Sequence, residues 1–408
     1  MSKMKIVQAN KFLYPKGGAD KYCLSLIQEL TKLDFEVVPF AMADEQNIHS
    51  SWSKYFSENL DYHTSKNVWK MATRLIWNRE AADKFEKLLD ETKPDLIHAH
   101  NIYHQLSPSI LVEAKKRKIP VVMTVHDYKL ICPNYLMFTH GHHCEKCLQG
   151  NYTQCIINNC YYSYSRSSLA ALESFLHNKV WHAYSNNVDL FISPSNYLKE
   201  KMISAGWSAD KITVLINPAP LYSPQADGKN LLYFGRLSVE KGVDVLIRAL
   251  QLTTDNLDIV GSGKDKEKLE QLTKELDLED RVIFHGQLSG ETLEKLKREA
   301  KAIILPSVWA ENMSLVLLES LAYGKLIIAS SSGGTPELIE EGKTGFLFSP
   351  GDYKMLATKI NELSKLALEK RLIMAEYIKT KIVPLSLDKH LNRLQNIYQQ
   401  IKDAKKNR

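Results

Sequence analysis

Short apolar runs alternate with longer stretches of helical period along almost the whole chain. Lys5–Ala9, Val37–Phe40, Asp95–Ala99 and Val121–Val125 read as buried strands, with helices at Ala19–Leu33 and Ser109–Lys118 among them. Leu190–Ser193 and Ile212–Ile216 continue this series. A second series begins at Leu231–Phe234 and runs through strands at Leu257–Val260, Val282–His285, Ile303–Leu305 and Leu326–Ala329. Its helices are expected at Val243–Leu250, Lys266–Leu276, Glu291–Ala300 and Leu315–Tyr323. Short, mostly apolar strands that alternate with helices predict parallel sheets covered on both sides.

The two series meet at Asn217–Pro224. Three prolines there, Pro218, Pro220 and Pro224, forbid a regular element and suit a linker. We therefore expect an α/β chain of two doubly wound, Rossmann-like domains, 1–217 and 218–384, each with its ligand at the carboxyl ends of its strands. The last stretch, 385–408, reads as a helix from Leu385 to Ile401 that returns to the first domain.

Composition changes this picture little. With 408 residues, 44% apolar and 25% charged, the chain has an ordinary globular make-up and length for two or three domains. No apolar run approaches a membrane-spanning length, and the start, Met1–Val7, lacks a signal-peptide core. A cytoplasmic location follows as an expectation. The formal charge of +6 favours anionic ligands without calling for nucleic acid.

Candidate chemistry gathers at strand ends. In the second series, Gly235-Arg236 and Lys241-Gly242 follow a strand, placing two cations where this fold binds a diphosphate. Pro306–Ser314 follows another strand and leads into a helix with Ser314 as N-cap, whose first-turn amides suit an anion. Glu311 lies before that helix and Glu319 within it; as acceptor-only groups they suit sugar and ribose hydroxyls. The chain contains no Asp-x-Asp pair for a divalent metal. Arg236, Lys241 and the helix N-terminus would then supply the positive charge opposite a departing diphosphate. Gly261-Ser262-Gly263 lacks the third glycine of a dinucleotide fingerprint, position 266 being Lys, and this argues against NAD.

In the first series, Gly17-Gly18 precede a helix and allow close approach to a ligand, and His126 stands just past Val121–Val125. His98, His100 and His104 suggest a cleft-lining or structural group rather than a metal site. Five of the six cysteines fall between Cys132 and Cys160. Cys144, Cys147, Cys155 and Cys160 have spacings within the range of a structural zinc site, with free thiols or a disulfide as alternatives. Lys66–Trp77 mixes cations with Trp69, Ile76 and Trp77, a pattern that fits either a lipid-surface helix or an ordinary docked one.

Taken together, Gly235-Arg236-Leu237-x-x-Glu240-Lys241-Gly242, Gly261-Ser262-Gly263, His285-Gly286, Pro306-Ser307, Glu311-x7-Glu319, Gly333-Gly334-Thr335-Pro336-Glu337 and Gly342-x-Thr344-Gly345 resemble, in order and spacing, glycosyltransferase family four. The similarity covers nearly the whole chain. It implies the GT-B fold, two Rossmann-like domains facing each other across a cleft, and a retaining transfer without catalytic metal. The donor would be a nucleotide sugar, a UDP-sugar favoured over GDP- or ADP-sugars, and the acceptor a saccharide or lipid-linked molecule of cell-surface polysaccharide or glycolipid synthesis, at the inner face of the cell membrane.

By the same resemblance Arg236 and Lys241 match the diphosphate pair, and Glu311 matches the carboxylate holding the donor sugar, with Asn312, Met313 and Ser314 nearby. Leu315 and Val316 offer amides to the phosphate, Glu319 grips the ribose, Gly17 and Gly18 line the phosphate, and His126 faces the sugar. Where many members have Gly-Phe-Gly after the first Glu, this chain has Asn312-Met313-Ser314, which leaves the donor sugar open. A nucleotide-sugar epimerase and a non-catalytic binding partner are the alternative classes.

Overall fold

The computed structural model describes residues 3–59, 73–222 and 228–406. They form two compact units. The first comprises Met1–Leu136, Glu145–Leu215 and Leu391–Arg408; the second comprises Met137–Cys144 and Ile216–His390.

The first unit is built on β1 (Lys5–Ala9), β2 (Glu36–Phe40), β3 (Leu96–Ala99) and β4 (Val121–Thr124). After a two-stranded hairpin of β5 (Phe138–Thr139) and β6 (His142–His143), the sheet is completed by β7 (Leu190–Ser193) and β8 (Ile212–Val214). All pairs in the large sheet are parallel, in the order β2-β1-β3-β4-β7-β8. Every residue of β3 and β4 is buried, which is why their sequences are unbroken apolar runs with only His98 and Thr124 as polar members.

The second unit repeats the plan with β9 (Asn230–Phe234), β10 (Leu257–Val260), β11 (Val282–Gly286), β12 (Ala300–Leu305), β13 (Ile327–Ser330) and β14 (Gly345–Phe348). Their order is β11-β10-β9-β12-β13-β14, again all parallel. The helix Gly290–Glu299 runs straight into β12, so Ala300, expected at a helix end, starts a strand. One apolar core joins this sheet to its helices, from Leu231 and Ile303 in the strands to Leu246, Leu317 and Ile360 on the faces packed against them.

Each sheet has one place where the strand order reverses. In the first unit it lies between β1 and β3, and in the second between β9 and β12. Loops leaving the carboxyl ends of such neighbours turn to opposite faces and leave a crevice, the usual ligand site of a doubly wound sheet.

Helices at Arg79–Thr92, Tyr164–Phe175, Tyr353–Ser364 and Leu368–Ile382, and the strand β14, add to the elements read from the pattern. The last helix spans Leu387–Lys406; from Leu391 it belongs to the first unit, where Leu394 and Tyr398 are fully buried. Residues 66–72 of the candidate lipid-facing stretch, Trp69 among them, and residues 223–227 next to the proline-rich linker lie outside the described residues. Among the described residues no helix is long and apolar enough to cross a membrane.

Candidate active site

In the second unit the loops after β9 and β12, on either side of the strand reversal, carry Arg236, Lys241 and Glu311. A one-turn helix at Val239–Lys241 ends at Gly242, whose φ of 63° is left-handed. A Cβ there would stand 2.1 Å from the carbonyl oxygen of Pro306, so only glycine lets the two loops meet.

The close approach brings Lys241 onto Glu311. The ammonium donates to Glu311 Oε1 at 2.6 Å, and Ser307 Oγ donates to the same oxygen at 2.7 Å. Lys241 also lies over the Trp309 ring, 5.0 Å from its centroid. Burial pushes the Glu311 carboxyl up, but the charge and hydrogen bond of Lys241, with hydrogen bonds from Ser307 and Trp309, outweigh it and hold the carboxyl below its ordinary value. Lys241 and Glu311, read from sequence as two separate ligand contacts, are thus each other's partner here.

Arg236 is placed differently. Its side chain is 69% exposed and lies 4.0 Å from Glu240. Its backbone is fixed, since Tyr233 donates its hydroxyl to the Arg236 carbonyl at 2.7 Å. The arrangement is one fixed cation and one extended, exposed cation on the same loop.

Ser314 is the N-cap of the helix Leu315–Ala322, its Oγ accepting from the Leu317 N–H. Leu315 and Val316 occupy the first turn, and Asn312 and Met313 are buried just before it. Glu319 is not buried, as the apolar run before it suggests, but one-third exposed, and Lys297 donates to its Oε2 at 2.8 Å. Lys297 is itself almost fully buried, over the Phe234 ring at 4.9 Å. The sequence reading missed Lys297. Its signal was present, because it stands four residues after Leu293 on the inward stripe of its helix.

In the first unit Gly17 is the N-cap of the helix Gly18–Lys32, and both glycines are exposed. The buried Asn10 ties the ends of β1 and β3 to this helix: its Nδ2 donates to Asp20 Oδ1 at 2.9 Å, and its Oδ1 accepts the Asn101 N–H at 3.2 Å. His126 follows β4 by two residues, half-buried, with its Nε2 3.1 Å from His100 Nδ1 and its ring against Tyr22. Desolvation draws the His126 pKa down to about 3, so the imidazole is neutral. Burial likewise pushes Asp127 up to about 6. His98 and His100 are completely buried, and His104 faces Glu173 at 3.3 Å.

Among the described residues no group of three or more His, Cys, Asp or Glu side chains that could hold a metal ion is found. Cys144, Cys147, Cys155 and Cys160 are free thiols. Cys147 and Cys155 pack with Tyr152 and Ala171, and Cys160 and Tyr161 lie against that cluster. A hydrogen bond with Cys160, then burial, pushes the Cys155 thiol far above its ordinary value. Cys144 stands in the hairpin segment, its N–H bonded to the Met137 carbonyl.

Two six-stranded parallel sheets in Rossmann-like order, the second with a cation–carboxylate pair at its strand reversal, define a glycosyltransferase of the GT-B fold. Residues 16–221 match the family model described as Glycosyltransferase Family 4 and residues 223–381 that described as Glycosyl transferases group 1; the chain belongs to glycosyltransferase family 4.

A protein encoded in the cps region of Klebsiella pneumoniae is 28% identical over 82% of this chain and 87% of its own length. A lipopolysaccharide 1,6-galactosyltransferase of Salmonella typhimurium is 33% identical over 40% of this chain and 49% of its own. Among solved structures, a lipopolysaccharide outer core galactosyltransferase in its apo form superposes with a TM-score of 0.66 at 20% identity, over 97% of this chain and 100% of the other. The Anabaena protein HepE in complex with UDP gives 0.69 at 18% identity, over the same shares. These last two likenesses concern the fold.

Proposed function

We propose that this glycosyltransferase moves a hexose-type sugar, with retention of configuration, from a nucleoside-diphosphate sugar to a saccharide or lipid-linked acceptor in cell-surface polysaccharide or glycolipid synthesis. The observation that carries the reading is the Lys241–Glu311 pair at the strand reversal of the second unit. A donor diphosphate would draw the Lys241 ammonium and Arg236 to itself, and Glu311, released from Lys241, would accept from sugar hydroxyls.

Glu319, steadied by Lys297, is assigned to the ribose. The N-terminus of the helix Leu315–Ala322, with Asn312, Met313 and Ser314 before it, would complete the phosphate and sugar contacts. On the first unit His126, Gly17 and Gly18 are assigned to substrate. A neutral His126 can accept a hydroxyl hydrogen bond but delivers no proton near neutrality.

UDP-sugars are the favoured donors, and the solved relative holding UDP supports that choice. Incubating the protein with UDP-, GDP- and ADP-sugars in EDTA should release one nucleoside diphosphate from one donor class. Release that requires added divalent metal would defeat the metal-free reading, and release from no donor together with no nucleotide binding would defeat the enzyme reading.

Peripheral contact with the membrane belongs to the same proposal. The helix Tyr164–Phe175 and the turn after it expose Tyr164, Leu172, Phe175, Val180 and Trp181 beside Arg166 and Lys179, while Glu173, the acid of that helix, is buried against Lys129. Such a face suits an anionic lipid surface. The protein should float with phosphatidylglycerol vesicles, and Phe175→Asp with Trp181→Asp should leave it in the soluble fraction; equal flotation of both forms would remove the surface assignment.

A further inference from the structure

Behind His126 the core of the first unit holds an unbroken file of polar side chains. His126 Nε2 lies 3.1 Å from His100 Nδ1, and His100 Nε2 lies 2.8 Å from Gln8 Oε1. Gln8 Nε2 donates to the Tyr398 hydroxyl at 3.4 Å, and that hydroxyl lies 2.7 Å from His98 Nδ1. His98 Nε2 lies 2.8 Å from Thr124 Oγ1, which also meets the Tyr22 side chain. Gln8, His98, His100 and Tyr398 are all completely buried. They come from β1, β3, the residue after β3 and the last helix, so the file crosses the strand reversal of this sheet.

We propose that Gln8 and His100 are positioning residues that hold His126 in one orientation and in its Nε2–H tautomer, and that Tyr398 of the last helix locks Gln8 in place for that purpose. The inference rests on the reading of His126 as a substrate-contacting residue.

The direction of donation follows from the inventory of each group. The Gln8 carbonyl oxygen can only accept, so His100 carries its hydrogen on Nε2. A neutral imidazole has one N–H, so His100 Nδ1 accepts, and His126 Nε2 must be the donor. Neutrality is enforced by place: the His100 ring centroid lies 4.2 Å from that of His98 and 5.4 Å from that of His126, and burial holds its pKa well below the ordinary value. At the other end Gln8 donates to Tyr398, which leaves the Tyr398 hydroxyl hydrogen for His98 Nδ1 and the His98 Nε2–H for Thr124. Turning the Gln8 amide over would reverse every bond and put the His126 hydrogen on Nδ1.

The consequence at the site is that Nδ1 is the lone-pair nitrogen of His126. That nitrogen can accept a hydrogen bond and can donate none. The residue argued to touch substrate thus takes its chemistry from a glutamine and a histidine that do not touch it, and these depend on a tyrosine near the end of the chain.

The test is a long-range 1H–15N spectrum of the full-length protein labelled at histidine, with His126 assigned by its loss in His126→Ala. The Nε2–H pattern is expected, and an Nδ1–H pattern overturns the proposal. Gln8→Leu and His100→Phe should mix the His126 tautomers and lower kcat for release of UDP from a UDP-hexose about 10-fold, the worth of one net hydrogen bond, with KM little changed. Tyr398→Phe keeps its ring in the core and should show the same spectral change more weakly. If His126→Ala is impaired while Gln8→Leu, His100→Phe and Tyr398→Phe keep both the spectrum and the rate, the relay is wrong. If His126→Ala is fully active, the substrate contact of His126 is wrong, and the tautomer pattern of the unaltered protein still decides the relay.

Discussion

Lys241→Ala is expected to lower kcat/KM for sugar transfer by about 100-fold or more, the loss seen when one preorganised group is removed from a developing anion. The same change leaves Glu311, itself 9% exposed, without its cation. Burial, which pushes the carboxyl up, is then opposed without the Lys241 charge, so the folded protein should also lose on the order of 3 kcal/mol.

A second variant separates these effects. Lys241→Met combined with Glu311→Gln removes both charges from the buried site, and its Tm should return close to that of the parent while activity stays lost. Should the double variant regain activity along with Tm, the pair would be a structural ion pair and the diphosphate assignment of Lys241 would fall.

Gly333→Ala should be nearly as damaging, although it adds one methyl group. Gly333 has a φ of +63°, and a Cβ there would lie 1.9 Å from the Glu311 carbonyl oxygen and 2.6 Å from the Glu311 nitrogen. Neither atom is a flexible side-chain end, so the backbone carrying Glu311 has to move. The left-handed conformation adds about 1–2 kcal/mol for an L-residue. The neighbouring Gly334 N–H donates to the same carbonyl at 2.7 Å, so this bond is strained with it. We expect kcat to drop about 100-fold, since a displacement of about 1 Å at a reacting centre has that effect, with the sheet and its circular dichroism intact. Gly351→Ala serves as the control: its φ of +81° carries similar backbone strain, but an added Cβ there meets nothing within 4 Å, so activity should be retained. Equal activity of the two variants would show that the contact with Glu311 does not matter.

Much of the fold was written in the pattern of apolar runs. The parallel strands of both sheets were legible because strands buried on both faces must be apolar throughout, and β9, β10 and β13 are almost entirely so. β14, Gly345–Phe348, escaped notice because its run is short and lies directly behind a glycine-rich turn. The helices Tyr353–Ser364 and Leu368–Ile382 escaped because the second has apolar positions on more than one face, with Leu372 and Ile373 exposed. The cysteines show a limit of another kind: spacing along the chain does not say which of them pack together, and the fold gathers Cys147, Cys155 and Cys160 in one cluster with Tyr152 and Ala171.

By itself the sequence determined the candidate residues and the strand ends on which they stand, because residue type, glycine placement and apolar period are local quantities. It named Arg236, Lys241, Glu311, Glu319 and His126. Only the tertiary structure decided their partners. Lys241 meets Glu311 across seventy positions, Lys297 meets Glu319 across twenty-two, and Tyr398 meets Gln8 across three hundred and ninety. Such pairings are set by the strand order and by the route of the last helix, which no local pattern encodes. A lysine or tyrosine on a helix stripe announces that it is buried; the group that satisfies it is known only when the strands are in place.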